Sequence, residues 1–278
     1  MTMNKENPGV SRGIFTWFGY VLPFSEKLRL IKGAGFDSVC IWWGDEFSES
    51  DGTKEEQLKS ALEMGLRIEN AHLPYYGCDA LWFFDEKGKK CFDFYNESIA
   101  SAAGAGISRI VMHPFELRIP LGGNRELFIE RLNTLTDTAA GGGAVICLEN
   151  LADNEAFRGI MGLADSRLGV CFDSGHNNVA SGGDLSLLEE FSERIYAVHL
   201  HDNDGKVDQH LLPGEGIIDW PRLIATLNKT AYGGCLMLES CQPYGYDEAE
   251  GYGAAVTVER TAEEYLAAAR GALERYCE

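Results

Sequence analysis

Short apolar runs and longer amphipathic stretches alternate along the whole chain. The runs fall at about 14–18, 38–42, 67–71, 109–112, 145–148, 168–172, 195–200 and 234–238, each β-branched or otherwise apolar with Gly or Asn close by, and they read as eight strands. Helical periodicity follows each of them, at roughly 25–33, 54–64, 92–104, 124–140, 153–160, 184–192, 220–229 and 258–275. Eight strand–helix units in succession predict an α/β fold, a right-handed parallel (β/α)8 TIM barrel built as a single domain over residues 1–278. No linker, charge block or low-complexity segment marks a second domain.

The residues that end these runs share one chemistry. The run 68–71 ends in His72 and the run 109–112 in His113; 145–148 ends in Glu149, 168–172 in Asp173, 195–198 in His199 and 235–238 in Glu239. In a parallel barrel the strand C-termini converge on one face, so six side chains distant in sequence are expected to meet there. Glu149, Asp173, His199 and Glu239 come from four consecutive strands and form the first expected metal site. Imidazole and carboxylate donors suit Zn, Mn, Co or Mg rather than copper(I). One ion is expected, and up to three are conceivable. His176, three residues past Asp173, and the alternating pair Asp208 and His210 make a second group with His72 and His113. These either hold further ions, bind substrate hydroxyls or stabilise the loop. His201 lies on the same strand face as His199 and is expected either to support the ligands from behind or to touch substrate, and Glu215 in the turn Gly214-Glu215-Gly216 is a candidate substrate contact. Asp219 reads as a helix N-cap with Pro221 in the first turn.

Composition narrows the field. At 45% apolar and 11% aromatic residues the chain can bury a full core. No apolar run approaches the ~20 residues of a membrane span, and residues 1–12 lack a signal-peptide core, so a cytoplasmic protein without membrane contact is expected. Four of the eight cysteines, Cys40, Cys147, Cys171 and Cys235, fall in strands and read as free packing thiols. A net charge of -19 disfavours nucleic acid as a partner, because such binding relies on Lys and Arg neutralising phosphates, and Asp202, Asp204, Asp208, Glu215, Asp247, Glu248 and Glu250 are expected to form an acidic rim around the catalytic face. Two connections are long, 73–91 and 240–257. The first carries Tyr75, Trp82 and Phe83 and the second Tyr244, Tyr246 and Tyr252, which suggests lids over the substrate, with packing or an interface in a homo-oligomer as the alternative.

Together these segments resemble the xylose-isomerase-like barrel superfamily, which includes sugar and sugar-phosphate isomerases and epimerases and the class II abasic-site endonucleases. The most specific stretch is His199-Leu200-His201-Asp202-Asn203-Asp204-Gly205, continuing through Asp208, His210 and 213–216 to Asp219-Trp220; Cys147-Leu148-Glu149-Asn150 and 171–176 support it. The resemblance implies that one divalent ion binds the four residues Glu149, Asp173, His199 and Glu239 in the isomerases and epimerases, and that the glutamates move protons. It also implies that three zinc ions in the endonuclease branch use those four positions with His72, His113, His176, Asp208 and His210. All nine are present, so charge has to arbitrate. One departure is Gly205, where some ketose 3-epimerases carry an arginine.

The leading expectation is therefore a metal-dependent isomerase or epimerase of a small carbohydrate: a keto or hydroxy sugar, a polyol or its phosphate. It would work through an enediolate, with Glu149 and Glu239 as base and acid and His176 orienting hydroxyls or shuttling protons. Arg118 and Lys206 are the few basic residues expected near the rim, which favours an uncharged substrate. A phosphoesterase or endonuclease with a multinuclear zinc site and a non-catalytic sugar-binding barrel are the alternatives.

Overall fold

In a computed structural model of the chain, residues 11–242, 246–247, 251–252 and 260–277 are described. The strands are β1 (Arg12–Phe15), β2 (Ser38–Trp42), β3 (Arg67–His72), β4 (Arg109–Met112), β5 (Val145–Glu149), β6 (Gly169–Asp173), β7 (Ile195–His199) and β8 (Leu236–Leu238). They pair in parallel in the order β7-β6-β5-β4-β3-β2-β1-β8, a nearly closed barrel. The seam between β7 and β8 is one further bridge, in which Leu200 N–H donates to the Met237 carbonyl at 2.9 Å and Glu239 N–H donates to the Leu200 carbonyl at 3.1 Å.

Around the barrel run α1 (Phe24–Gly33), α2 (Ser48–Asp51), α3 (Lys54–Glu63), α4 (Glu86–Gly104), α5 (Arg125–Gly141), α6 (Asn154–Met161), α7 (Ser174–Ser181), α8 (Ser186–Glu190), α9 (Trp220–Leu227) and α10 (Ala262–Cys277). The side chains of Thr53, Asp85, Asn124, Asp153, Asp173 and Asp219 each accept a first-turn N–H of the helix that follows. These caps satisfy donors that a helix start leaves open.

Strand parity divides the core in two. Outward residues such as Ile14, Val39, Ile41, Ile110, Ile146, Val170, Val198 and Leu238 join the helices in one large cluster. Inward residues fill the barrel instead: Phe15, Cys40, Cys235 and Met237 pack on one side, Val111, Cys147, Cys171 and Ala197 on the other. The expected core thiols are thus lumen filling, and the seven cysteines whose side chains are described are free. Because parity repeats every two residues, the inward residues Val111, Cys147, Cys171, Ala197 and Met237 place His113, Glu149, Asp173, His199 and Glu239 two positions further on, above the lumen floor. At the opposite end Arg109 Nη1 donates to Glu69 Oε1 at 3.0 Å.

Several expectations shift. Strand β1 ends at Phe15 rather than residue 18, because Gly19 at φ 91° turns the chain and Phe18 packs into the core between Tyr20 and Tyr265. Helix α4 begins at Glu86, six residues earlier than its apolar pattern, since its first turn is solvent-facing and set by the Asp85 cap. Helix α7 was not expected at all: its sequence, SGHNNVAS, has no apolar stripe. The supposed lid 73–91 is correspondingly short and holds a 3-10 turn at Cys78–Trp82. Trp82 is fully buried, stacks on Phe128 at 4.3 Å and donates Nε1 to the Pro114 carbonyl at 2.9 Å. Phe83 is half-buried against the same core. Neither is a lid residue; both lie under α4 and α5. The second expected lid, 240–257, lies largely outside the described residues, which include there a short antiparallel backbone ribbon of Tyr246–Asp247 with Gly251–Tyr252. Among the described residues no helix is long and apolar enough to cross a membrane.

Replacing Trp82 by Ala should cost about 3–5 kcal/mol of unfolding free energy, the range for truncating a buried indole. Urea denaturation measures it, and a loss below about 1 kcal/mol would contradict the packing role.

Candidate metal centre

The strand ends deliver the expected side chains to one place. Glu149, Asp173, His199 and Glu239 each bring a donor atom within 4.8 Å of the others. His199 Nδ1 stands 3.1 Å from Glu149 Oε2 and 3.1 Å from Glu239 Oε2, between the two glutamates. From the β3 and β4 side His72 Nε2 comes within 3.4 Å and His113 Nε2 within 3.7 Å of Glu149 Oε2. From the other side His176 Nδ1 lies 3.2 Å from Glu149 Oε1 and 3.3 Å from Asp173 Oδ1, and its Nε2 lies 3.3 Å from Asp208 Oδ2. His210 Nε2 is 2.9 Å from that same Asp208 oxygen. All nine expected donors belong to this one constellation.

The donor set fits a divalent cation. Ligands held about 2.0–2.1 Å from a tetrahedral zinc stand about 3.4 Å from one another, close to the separations found here. Both Glu149 oxygens, both His199 nitrogens, and Nδ1 of His113 and His176 are buried without a hydrogen-bond partner, a condition that proteins avoid unless another group completes it. The tautomers agree. Nδ1 of His72 donates to the Leu73 carbonyl at 2.7 Å and Nδ1 of His210 to the Glu239 carbonyl at 2.6 Å, so in neutral imidazoles each Nε2 lone pair faces the carboxylates. His210 holds this pose at φ 49°, a left-handed conformation uncommon outside glycine, and such strain concentrates at functional sites.

The charges tell the same story. Burial opposes the ionised form of Glu149, yet the charges of His199 and His113 hold its carboxyl well below the usual range. For Glu239 burial is likewise overcome, chiefly by His199, and its pKa falls to about 2. Burial would depress His199 and His176, but the groups around them, led by the Cys171 sulfur and the Glu239 carboxylate for the first and the Asp173 carboxylate for the second, raise both well above the ordinary imidazole value. His113 is lowered, by burial. A cluster that pulls protons onto its imidazoles is one that attracts positive charge.

Neighbouring polar groups fix the ligands. Asn150 clamps the end of β6, its Oδ1 accepting Asp173 N–H at 2.8 Å and its Nδ2 donating to the Asp173 carbonyl at 3.0 Å. Asp173 Oδ1 then caps α7 through His176 N–H at 2.6 Å, which sets the position of His176. Of the two places expected for His201, the structure shows the one behind the ligands rather than the substrate contact: it is fully buried, its Nε2 3.0 Å from Asp173 Oδ2 and its ring stacked on His210 at 4.1 Å. Gly175 permits this: a Cβ there would stand 1.9 Å from the His201 ring. Asp202 was expected on an acidic rim. It is fully buried and accepts from Asn203 N at 2.9 Å, Ile218 N at 3.1 Å, Gly214 N at 2.9 Å and Trp220 Nε1 at 2.7 Å, holding the 211–218 loop. Of the other acids expected there, Asp247, Glu248 and Glu250 have side chains outside the described residues.

Above the centre opens a cavity of about 540 Å³. Glu149, Glu239, His72, His113, His176, Asp208, His210 and Tyr75 line it. Trp82 and Phe83 do not, and Glu215 is engaged elsewhere, with Arg260 Nη2 at 2.7 Å. Sequence reasoning missed Trp17, Trp42, Phe47 and the Lys27–Asp51 pair, which form the wall on the β1–β2 side. Trp42 carried a usable signal, since it ends β2 in the place where the next strands carry a ligand; its indole stacks on His72 at 5.5 Å and 12°.

The sequence pattern of the xylose isomerase-like TIM barrel family matches residues 28–262. The 3-dehydro-D-guloside 4-epimerase of Escherichia coli (strain K12) is 28% identical over 243 residues, 77% of this chain and 86% of that one. An inosose dehydratase of Klebsiella pneumoniae is 30% identical over 141 residues, 41% of this chain and 46% of that one. Other curated relatives also align over only 33% to 41% of their length. Among solved structures, a D-psicose 3-epimerase with D-tagatose from Clostridium cellulolyticum H10 superposes with a TM-score of 0.74 at 19% identity, over 96% of this chain and 99% of that one, a likeness of fold.

Asp202→Ala should destabilise the protein by ~3 kcal/mol or more, because it strands four donors around a fully buried position. Thermal and denaturant unfolding read this directly, and a change under about 1 kcal/mol would remove Asp202 as the anchor of the loop.

Proposed function

This chain belongs to the xylose isomerase-like TIM barrel family, and from that premise we propose that it is a divalent-metal-dependent sugar epimerase or isomerase, acting on a carbon beside a carbonyl. The observation that carries the reading is the pair of glutamates flanking His199 Nδ1 at 3.1 Å each, both facing the cavity. A divalent ion held by Glu149, Asp173, His199 and Glu239 would polarise the substrate carbonyl and stabilise the enediolate. One glutamate, as carboxylate, takes the C–H proton; the other, once it has taken a proton from solvent or a substrate hydroxyl, delivers it to the opposite face of that carbon, and in an isomerisation the first glutamate returns its own proton to the neighbouring carbon. Both carboxyls lie low enough to be ionised at neutral pH, so each is available as an acceptor. His176, held protonated by the carboxylates around it, is placed to donate to a substrate oxygen. Tyr75 and Trp42 cover the β3 side and restrict water, which strengthens every charge inside. Relatives named for epimerising 3-dehydro-D-guloside and dehydrating inosose support a carbohydrate substrate.

The substrate is uncharged on this reading. Lys27 is the one Lys or Arg among the described lining residues, and Asp51 holds it at 2.8 Å. Residues 243–259 contain neither Lys nor Arg. Among the described lining residues a phosphate would meet, besides the histidines, one lysine already paired with a carboxylate. A second reading, a multinuclear phosphoesterase, is favoured by the His72–His113–Glu149 group beside the first site. The net charge of -19 and the scarcity of cations along the cavity oppose it for nucleic acid.

Glu149→Gln and Glu239→Gln should each lower deuterium incorporation from D₂O into a panel of ketoses and inososes about 100-fold or more, since an amide cannot accept the proton. Retention of wild-type exchange in either variant contradicts the two-glutamate mechanism. Dialysis against a chelator should abolish exchange, and Mn, Co, Mg or Zn should restore it; full activity of a verified metal-free preparation excludes the metal role. Abasic-site duplex should remain intact at physiological salt, and efficient incision without deuterium exchange on any sugar would replace the first reading by the second.

A further inference from the structure

The cavity is larger than the chemistry at its floor requires. A single hexose has twelve heavy atoms, and even at the ~30 Å³ that a liquid water occupies it would fill less than about 360 Å³. The cavity measures about 540 Å³. On the β1–β2 side, away from the ligands, the lining of this cavity changes in kind. Trp17, Trp42 and Phe47 supply aromatic surface, Val21 and Phe47 stand 66% and 51% exposed, and Thr16, Ser50, Gln57 and the Lys27–Asp51 pair supply the polar groups. Lys27 is 3% exposed and lies 5.3 Å from the Trp17 ring centroid. Its ammonium carries three donors, of which Asp51 takes one. Trp42 joins the two regions, stacked on His72 on one side and 6.4 Å from Phe47 on the other.

Apolar ring faces beside a few fixed polar groups match a pyranose or aryl ring, which offers C–H or π faces to the aromatics and hydroxyl or ether oxygens to a buried donor. From this continuity and this surplus volume we infer that the Trp17–Trp42–Phe47 annex is a second subsite, holding the non-reacting ring of a glycoside while the keto sugar ring sits over Glu149 and Glu239. The inference deepens the reading of the protein as a sugar epimerase or isomerase: the substrate class is a glycosidically linked keto sugar rather than a free monosaccharide. It needs no new covalent step. The glycosidic bond stays intact, and the annex contributes binding energy remote from the reacting carbon.

The test is equilibrium binding, which does not depend on turnover. Phenyl β-D-glucoside, cellobiose and D-glucose are titrated calorimetrically into the full-length chain and its Trp17→Ala, Trp17→Phe and Phe47→Ala variants, with unfolding midpoints recorded for each. Either glycoside should bind about tenfold or more tightly than D-glucose. That preference should collapse to within threefold in Trp17→Ala and Phe47→Ala and return in Trp17→Phe, which keeps an aromatic face. The subsite is overturned when neither glycoside binds, when both bind within threefold of D-glucose, or when the preference survives both alanine variants. Because these probes carry no ketone, loss of the reaction mechanism in the exchange assay and loss of the subsite here are separate results.

Discussion

A carboxylate that is buried cannot remain ionised without compensation, and Glu149 is fully buried in the protein interior with both oxygens lacking a hydrogen bond. Much of the upper barrel answers that demand. His72, His113, His176 and His199 approach it from four different elements, and Glu239 and Asp173 extend the same charge pattern to either side. Imidazoles alone offset part of the charge by holding protons. A divalent cation would offset more, and the ring tautomers set by the Leu73 and Glu239 carbonyls leave lone pairs where such an ion would sit.

Much of this was legible because two periods coincide. The two-residue period of a strand fixed which side chains point inward, and the βα alternation fixed which strand ends share a face. Cys147 and Glu149, or Cys171 and Asp173, therefore read as filler and ligand without any knowledge of the packing. The metal ion remains an inference from those donors. What escaped lay outside both periods. Trp82 is an aromatic in a connection, and nothing in the chain says whether such a residue caps a cavity or is tucked beneath two helices; the Pro114 carbonyl and the Phe128 ring decide it. Asp202 follows a strand end as the ligands do, but its carboxylate meets four loop donors, a convergence that depends on a turn closing back from residues 214–220. Helix α7 hid for a related reason: its residues are chosen to hold Asp173, His201 and Asn203 in place, so it has no apolar stripe to be seen.

The division of labour between the two halves of the cavity follows from the same architecture. The strands from β3 to β8 end in imidazoles and carboxylates, whereas β2 ends in Trp42 and the chain after β1 presents Trp17. One arc of the rim is polar and ionic, the other aromatic. A ligand that spans them is recognised at two points with different physics, one by charge and coordination, the other by contact area. With a substrate bound as proposed, selectivity for its distant part would vary through the β1 and β2 loops while the reacting groups stayed fixed on the other strands.

The seam of the barrel carries a mechanical implication. Every other pair of neighbouring strands shares two or more register positions, but β7 and β8 are joined by the single bridge at Leu200 and Leu238. His199 and Glu239 flank that joint, 3.1 Å apart. A cation shared by these two side chains is therefore a clasp on the thinnest joint of the ring, supplying a cross-link where the backbone ladder offers little. With an ion bound there, opening the hoop and releasing the ion would become one event, and the ion would set the lifetime of the closed barrel as well as the chemistry inside it.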